Sequence, residues 1–381
     1  MTIAFVTTLN PEASTVAGRI LPLAKELAAH ASVSVYCLGG QDTANNNAIV
    51  KIVSVGKEPF LRTGNGKIRL QGISLALRLL QNCWLTLLQL LHDRPDTVII
   101  VKPLPQNTLA VALARLFYRP KKIILDCDDF ELEANVLTSI WQRAAIHVSE
   151  RLALHVSAAS VAATPFLADH ITRLGGDDMP VTLLPTGIGK SGIAAQGQGI
   201  KLVYAGSISL SSGHRVDLLP GIMHHLSSNY PDVELHICGD GDDVGHIKTI
   251  AQEKNVASRI IWHGRFTQPS LSSILSSDTI LLDPVDASIV ARAKSSYRCM
   301  LALNAGLPVI TSNIGIRSRL IPQSLQSRLF AETGSATSYA AAIAGILRSP
   351  FSTQEKELLK NNLQPYTWET IGSHYWHIIN P

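Results

Sequence analysis

Apolar residues along this chain fall into short, nearly continuous runs separated by longer stretches with helical spacing. Residues 2–8 form such a run, closed by Asn10-Pro11, which predicts a strand and a turn. Over 15–29, Val16, Ile20, Leu23 and Leu27 recur at helical spacing, and 32–38 is a second run leading into Gly39-Gly40. The runs at 96–101 and 122–125 have the composition of central parallel strands, buried on both faces. Residues 152–163 read as a helix end and a strand, 166–174 as a helix, and 181–185 as one more strand. A Gly-rich segment follows at 187–199, GIGKSGIAAQGQG, the clearest candidate linker. The alternation then restarts, with strands at 201–205, 233–238, 260–262 and 279–282 and helices at 216–226, 246–254 and 297–305. Gly306-Leu307-Pro308-Val309-Ile310-Thr311 reads as a helix stop and a short buried strand. The pattern predicts an α/β protein with two Rossmann-like, doubly wound domains.

With 381 residues, 46% hydrophobic and 16% charged, the chain is long enough for two cores and is far from a disordered composition. Its net charge of +4 is too weak to argue for nucleic acid and fits an anionic ligand or membrane surface. Cys37, Cys83, Cys127, Cys238 and Cys299 form no disulfide framework and no zinc pattern, so a reducing, cytoplasmic setting is expected. The N-terminus reads as a first strand and not as a signal peptide. Between 51 and 78, Lys51, Lys57, Arg62, Lys67, Arg69 and Arg78 stand against the single acid Glu58. The apolar stretch 73–91 that follows reads in two ways: a buried helix with a polar edge, or an amphipathic surface docking on anionic lipid.

Candidate chemistry gathers at strand ends, where open α/β sheets bind ligands. The strand at 122–125 ends in Asp126-Cys127-Asp128-Asp129, acids suited to metal binding, base catalysis or helix capping. Asp129 is the expected cap. A metal site is disfavoured because no His or distant acidic motif completes a ligand set. Gly18 lies near the first crevice, but without a GxGxxG pattern a nicotinamide cofactor is not expected. Gly206-Ser207, Gly239 and Gly264 each follow a strand, where glycine admits a close-approaching ligand. His214 and Arg215, in the first of these loops, are candidate phosphate contacts, as is Arg265 after Gly264. In 286–321, Arg292, Lys294, Ser295 and Arg298 precede and open a helix, a combination suited to a phosphate or diphosphate.

Taken together, the segment Leu184-Pro185-Thr186-Gly187-Ile188, the strand-loop Tyr204-Ala205-Gly206-Ser207, the strand Leu235-His236-Ile237-Cys238-Gly239, the Gly306–Val309 segment and the closing Tyr366-Thr367-Trp368-Glu369 resemble a retaining glycosyltransferase of family 4, also called group 1. The resemblance implies a GT-B fold: an acceptor-side domain over 1–186, a linker over 187–199, a nucleotide-sugar-binding domain over 200–355 facing it across a cleft, and a helix over 356–381 crossing back. It also implies transfer of a sugar from a nucleoside diphosphate-sugar to a carbohydrate or lipid-linked acceptor, with retention and without a metal or other cofactor. Peripheral contact with the inner membrane face belongs to the same expectation. Most of the family carries two glutamates before the G-x-P-V segment; here Ala293 and Leu301 stand at about those places. The basic run Arg292–Arg298 resembles a branch without that pair. By resemblance, Arg292 and Lys294 would act on the leaving diphosphate with Asp128 as the third catalytic residue. Gly206, Ser207, His214, Arg215, Gly239, Gly264, Arg265, Ser295 and Arg298 would bind the donor, and Gly18, Asp126 and Asp129 would lie on the acceptor side. The rival readings are a non-catalytic nucleotide-sugar-binding scaffold and a sugar-nucleotide 2-epimerase.

Overall fold

A computed structural model describes residues 1–40, 49–63, 66–135, 137–190, 192 and 194–381. Ser191 and Ile193 of the expected linker, and the side chains of Arg62 and Lys67 in the basic stretch, lie outside the described residues. The chain divides into two compact units: Met1–Gly187 together with Trp368–Pro381, and Ile188–Thr367.

In the first unit the strands are β1 (Thr2–Val6), β2 (Ser32–Cys37), β3 (Lys51–Ser54), β4 (Phe60–Thr63), β5 (Gly66–Arg69), β6 (Thr97–Val101), β7 (Lys122–Cys127), β8 (Ala159–Ala162) and β9 (Val181–Leu183). β4 and β5 form a separate hairpin, and the other strands make one parallel sheet in the order β3-β2-β1-β6-β7-β8-β9. Central β6 is buried along its whole length, which is why its sequence is continuous Val and Ile rather than alternating. The direction of winding reverses between β1 and β6. The helices are α1 (Leu21–Leu27), α2 (Gly72–Asp93), α3 (Pro105–Phe117), α4 (Glu131–Ala134), α5 (Ile140–Val156) and α6 (Pro165–Gly175). α1 packs on one face of the sheet, and α2, α3 and α5 lie side by side on the other, as right-handed crossovers require. The terminal helix Trp368–Ile379 packs beside α1, and Trp368, Ile371 and Tyr375 complete the core that contains Phe5, Val16, Ile20 and Leu23.

The second unit is built on β10 (Lys201–Ala205), β11 (Glu234–Cys238), β12 (Ile260–Gly264), β13 (Ile280–Asp283) and β14 (Val309–Thr311), all parallel, in the order β12-β11-β10-β13-β14. Here the winding reverses between β10 and β13. Its core is separate, with Tyr204, Leu235, Leu281 and Ile310 among the fully buried residues.

Two expected boundaries change. The described residues of 188–199 are not a free tether but lie on the second unit: Gln196 donates to the Ser272 carbonyl at 3.1 Å and Gly197 to that of Leu275 at 2.7 Å. A Cβ on Gly197 would sit about 3 Å from the carbonyl oxygens of Ser273, Ile274 and Leu275, so glycine there answers close backbone packing. The stretch 356–367 also stays with the second unit, where helix Thr353–Asn361 packs on helix Tyr297–Asn304. The return begins at Trp368, whose indole leaves no room for a side chain at Gly187: a Cβ would lie 2.6 Å from the ring.

Candidate functional site

In the second unit the carboxyl ends of β10 and β13 meet at the point of reversal, and a buried ionic cluster lies there. Asp283, the last residue of β13, is 1% exposed. Its Oδ1 accepts from Arg298 Nη1 at 2.6 Å, and its Oδ2 accepts from Arg317 Nε at 2.8 Å and Ser296 Oγ at 2.8 Å. Burial raises this carboxyl, but the two guanidinium groups outweigh it and hold it well below the usual carboxylate range. Arg298 also donates through Nε to the Ala205 carbonyl at 2.7 Å and through Nη2 to the Tyr204 hydroxyl at 2.9 Å. Tyr204 in turn donates to the Ser207 carbonyl at 2.6 Å. One arginine thereby ties the end of β13 to the loop after β10.

Beside this cluster stand Lys294 and His214. Lys294 Nζ donates to the Ser212 carbonyl at 2.8 Å. His214 runs antiparallel to Val285, so the loop after β10 is pinned to the loop after β13. Burial, with the cations Arg298 and Lys294 nearby, pushes His214 well below the ordinary imidazole value, so the ring is neutral at pH 7. Its Nδ1 is buried and has no hydrogen-bond partner. The arrangement sets Arg298 and Arg317 on one carboxylate and adds an orphaned ring nitrogen beside them. It is a socket deficient in negative charge.

The expected donor-binding residues divide on this geometry. Arg292, at the end of the short helix Ile289–Ala293 capped by Ser288, is exposed, and Ser295 lies half-buried between the two helices. Arg298 was expected to grip a ligand and instead faces inward, with Asp283, Ala205 and Tyr204 as its partners; it shapes the socket. Arg215 forms a bidentate pair with Asp217 at 2.9 and 2.8 Å, which neutralises it locally. Arg265 is exposed and leans on Asp240 at 3.3 Å. Gly239 is glycine for a reason other than ligand approach: a Cβ would lie 1.9 Å from the Gly206 carbonyl oxygen. At Gly206 a Cβ would lie 2.3 Å from Arg298 Nη2. Gly264, at φ +66°, has open space around it and keeps the expected freedom.

The first unit carries a second cluster at its own point of reversal. After β7, Asp128, Asp129 and Glu131 surround the ammonium of Lys102, which follows β6; the distances from Nζ are 3.4, 2.5 and 3.4 Å. Burial, opposed by Lys102 and reinforced by Asp129 and Asp128, pushes Glu131 up to about 7, and Asp128 is also raised, chiefly by burial. This cluster therefore holds a proton close to neutral pH. Asp129 was expected to cap the next helix; Phe130 occupies the cap position of α4, and Asp129 binds Lys102. Asp126 lies deeper, accepting from Arg19 Nη2 at 2.9 Å and from the Tyr375 hydroxyl at 3.2 Å, so it anchors the terminal helix to β7. Gly18 lies in a π-turn, Val16–Ile20, which swings Arg19 inward. Arg19 Nη1 is buried without a hydrogen-bond partner. The three acids come within 4.8 Å of one another, a spacing able to hold a cation, and the fixed ammonium of Lys102 takes that place.

Sequence reasoning missed Asp283, Arg317, Lys102, Glu131 and Arg19. Each left a faint signal: Asp283-Pro284 ends a strand, Lys102-Pro103 ends another, and Arg317 lies within the basic stretch 286–321. Nothing local says which of them pair.

Residues 199–349 match the family model described as glycosyl transferases group 1. Among curated proteins none matches the chain. Sucrose-phosphate synthase from Thermosynechococcus elongatus superposes with a TM-score of 0.73 at 16% identity, covering 99% of this chain and 98% of that one. HepE from Anabaena in complex with UDP-glucose gives 0.71 at 13% identity, covering 100% and 99%. The lipopolysaccharide outer core galactosyltransferase WaaB gives 0.70 at 15%, covering 100% and 99%. At these identities the likeness speaks to the fold, and the fold is GT-B. The family match lies within the second unit, and the superposed glycosyltransferase structures span the whole chain.

Proposed function

We propose that this protein transfers a glycosyl group from a nucleoside diphosphate-sugar to a hydroxyl of a carbohydrate or lipid-linked acceptor, with retention at the anomeric carbon. The observation that carries this reading is the charge imbalance at the β10–β13 reversal. Arg298 and Arg317 share the single carboxylate of Asp283, with His214 held neutral beside them. Unmatched buried cations are costly unless an anion completes the set. A diphosphate is that anion, and UDP-bound HepE is a relative in which a nucleoside diphosphate is held.

The difficult event is rupture of the bond between the anomeric carbon and the diphosphate oxygen, which leaves with the electron pair. Fixed cations lower the energy of that departing charge without reorganising. Lys294 offers a point charge and His214 a ring N–H, while Arg292, exposed two residues earlier, reaches outward for the phosphates. Charge neutralisation by side chains leaves a metal ion no necessary part in this scheme. Retention follows when the acceptor oxygen arrives on the face the diphosphate leaves, where a phosphoryl oxygen accepts the hydroxyl proton. In the first unit Asp128 and Glu131, raised by burial, are suited to hydrogen-bond an acceptor hydroxyl near neutral pH.

Calorimetric titration with UDP in the presence of EDTA tests the donor site. Loss of one charge-assisted hydrogen bond is worth about 1.5–3 kcal/mol, so Lys294→Ala should weaken UDP binding roughly 10- to 100-fold. Wild-type affinity and turnover in a correctly folded Lys294→Ala protein would sink this assignment.

A further inference from the structure

The outer face of α2, α3 and α5 in the first unit is unusual in what it shows to solvent. On α2 the inward stripe carries Asn82 and Thr86, whereas the outward stripe carries Leu77, Leu80 and Trp84, the last 59% exposed. Asn82 is inside because it serves the backbone of Lys57, accepting from its N–H at 3.1 Å and donating to its carbonyl at 2.9 Å. The inward stripe also carries Cys83, Leu87 and Leu90, so the helix is apolar on both faces, which is not what a face turned to water requires. On the neighbouring helices Leu116 and Phe117, at the end of α3, and Trp141, on α5, are respectively 78%, 69% and 80% exposed. Large apolar side chains exposed on three adjacent helices mark a surface that another apolar phase covers.

Charge identifies that phase. On the three helices the acids are Asp93, which accepts from the Tyr36 hydroxyl at 2.6 Å, and Glu150, which is 5% exposed. The exposed charges are Arg115, Arg143 and Arg151, with Arg143 only loosely paired to Glu133 at 3.4 Å. A second copy docked face to face would set arginine against arginine. Exposed aromatic anchors on helices whose exposed charges are arginines suit the headgroup region of an anionic bilayer. α2 is the one helix among the described residues long and apolar enough to cross a membrane, but its packing on α3 and the buried Asn82 place it on a surface. We infer that the α2–α3–α5 face docks on the surface of an anionic lipid membrane, with Trp84, Trp141 and Phe117 entering the interface.

The test is flotation of the full chain with phosphatidylcholine vesicles, with and without phosphatidylglycerol, and reads binding rather than transfer. The chain should float with the phosphatidylglycerol vesicles only, and less so as salt rises. Leu80→Glu with Trp84→Glu, and separately Trp141→Glu on another helix, should each cut the floated fraction about tenfold, with circular dichroism unchanged. Arg115→Glu with Arg143→Glu should lower it without altering the apolar face. The inference is overturned by absence of flotation with phosphatidylglycerol. It also fails if folded variants float like the parent, or if sedimentation shows a dimer that these substitutions dissociate.

Discussion

Replacing Glu131 by glutamine should make the protein more stable at neutral and alkaline pH, although the residue is buried and polar. Glu131 is 2% exposed at the start of α4, with Oε2 accepting from Asn135 Nδ2 at 2.8 Å and Oε1 3.4 Å from Lys102 Nζ. Burial dominates, and Asp129 and Asp128 add repulsion, so the folded carboxyl keeps its proton up to about pH 7 against 4.5 for an unperturbed glutamate. The folded state therefore binds more protons than the unfolded state between those values. Stability must fall as pH rises through that window and level off above it. At about 1.4 kcal/mol per pH unit, the gap from 4.5 to about 7 comes to about 3 kcal/mol. Glu131→Gln mimics the protonated form and cannot lose it. Urea unfolding followed by circular dichroism, repeated across this range, should show wild type and variant nearly equal at the acid end. They should diverge to about 3 kcal/mol in favour of the variant above neutrality. Parallel profiles, or a variant less stable at the alkaline end, would refute the claim that this carboxyl holds a proton.

Asp283→Asn leaves Arg298 and Arg317 buried without a counter-charge, which should cost about 3–5 kcal/mol in thermal unfolding. Added pyrophosphate should raise the variant's melting temperature more than that of wild type, and an unchanged melting temperature without ligand would contradict the cluster as described. Gly239→Ala forces a Cβ into the Gly206 carbonyl and should cost about 1–3 kcal/mol or more, whereas Gly245→Ala, in open space on a helix, should be neutral or gain up to about 1 kcal/mol. Equal effects of the two would show that the strand-end glycine is not there for packing.

The alternation of strands and helices was legible because β6, β7, β10 and β13 are buried on both faces and so read as apolar runs. The hairpin β4–β5 was not legible, since it lies outside the sheet and its run is broken by Arg62 and Lys67. Strand-end glycines were found at the right places for a partly wrong reason: Gly239 answers a neighbouring backbone, and only Gly264 keeps open space. Arg298 shows why site residues resist sequence reading. Its neighbours mark it as a cation near a helix start, but whether it faces a ligand or Asp283, 15 residues earlier, depends on helix phase and strand order together. The 73–91 stretch left two readings open because hydropathy counts apolar residues without saying which stripe packs. Placing Asn82 inward settles the phase.

The pairing of charges follows a rule that no local window contains. In each unit the interacting groups come from strand ends, or segments after them, that are neighbours in the sheet but distant in the chain: Lys102 after β6 with Asp128 after β7, and Arg298, on a helix after β13, with the Ala205 carbonyl at the end of β10. The same topology then serves opposite electrostatics. In the second unit two guanidinium groups flank one carboxylate and hold it ionised. In the first, three acids surround one ammonium, and the excess negative charge is relieved by retaining a proton on the cluster. The proposed transfer, in which a diphosphate departs and a hydroxyl proton is handled, would use both conditions. Building each at the reversal point of its own sheet lets one chain keep a cationic socket and a protonated carboxyl at the same pH.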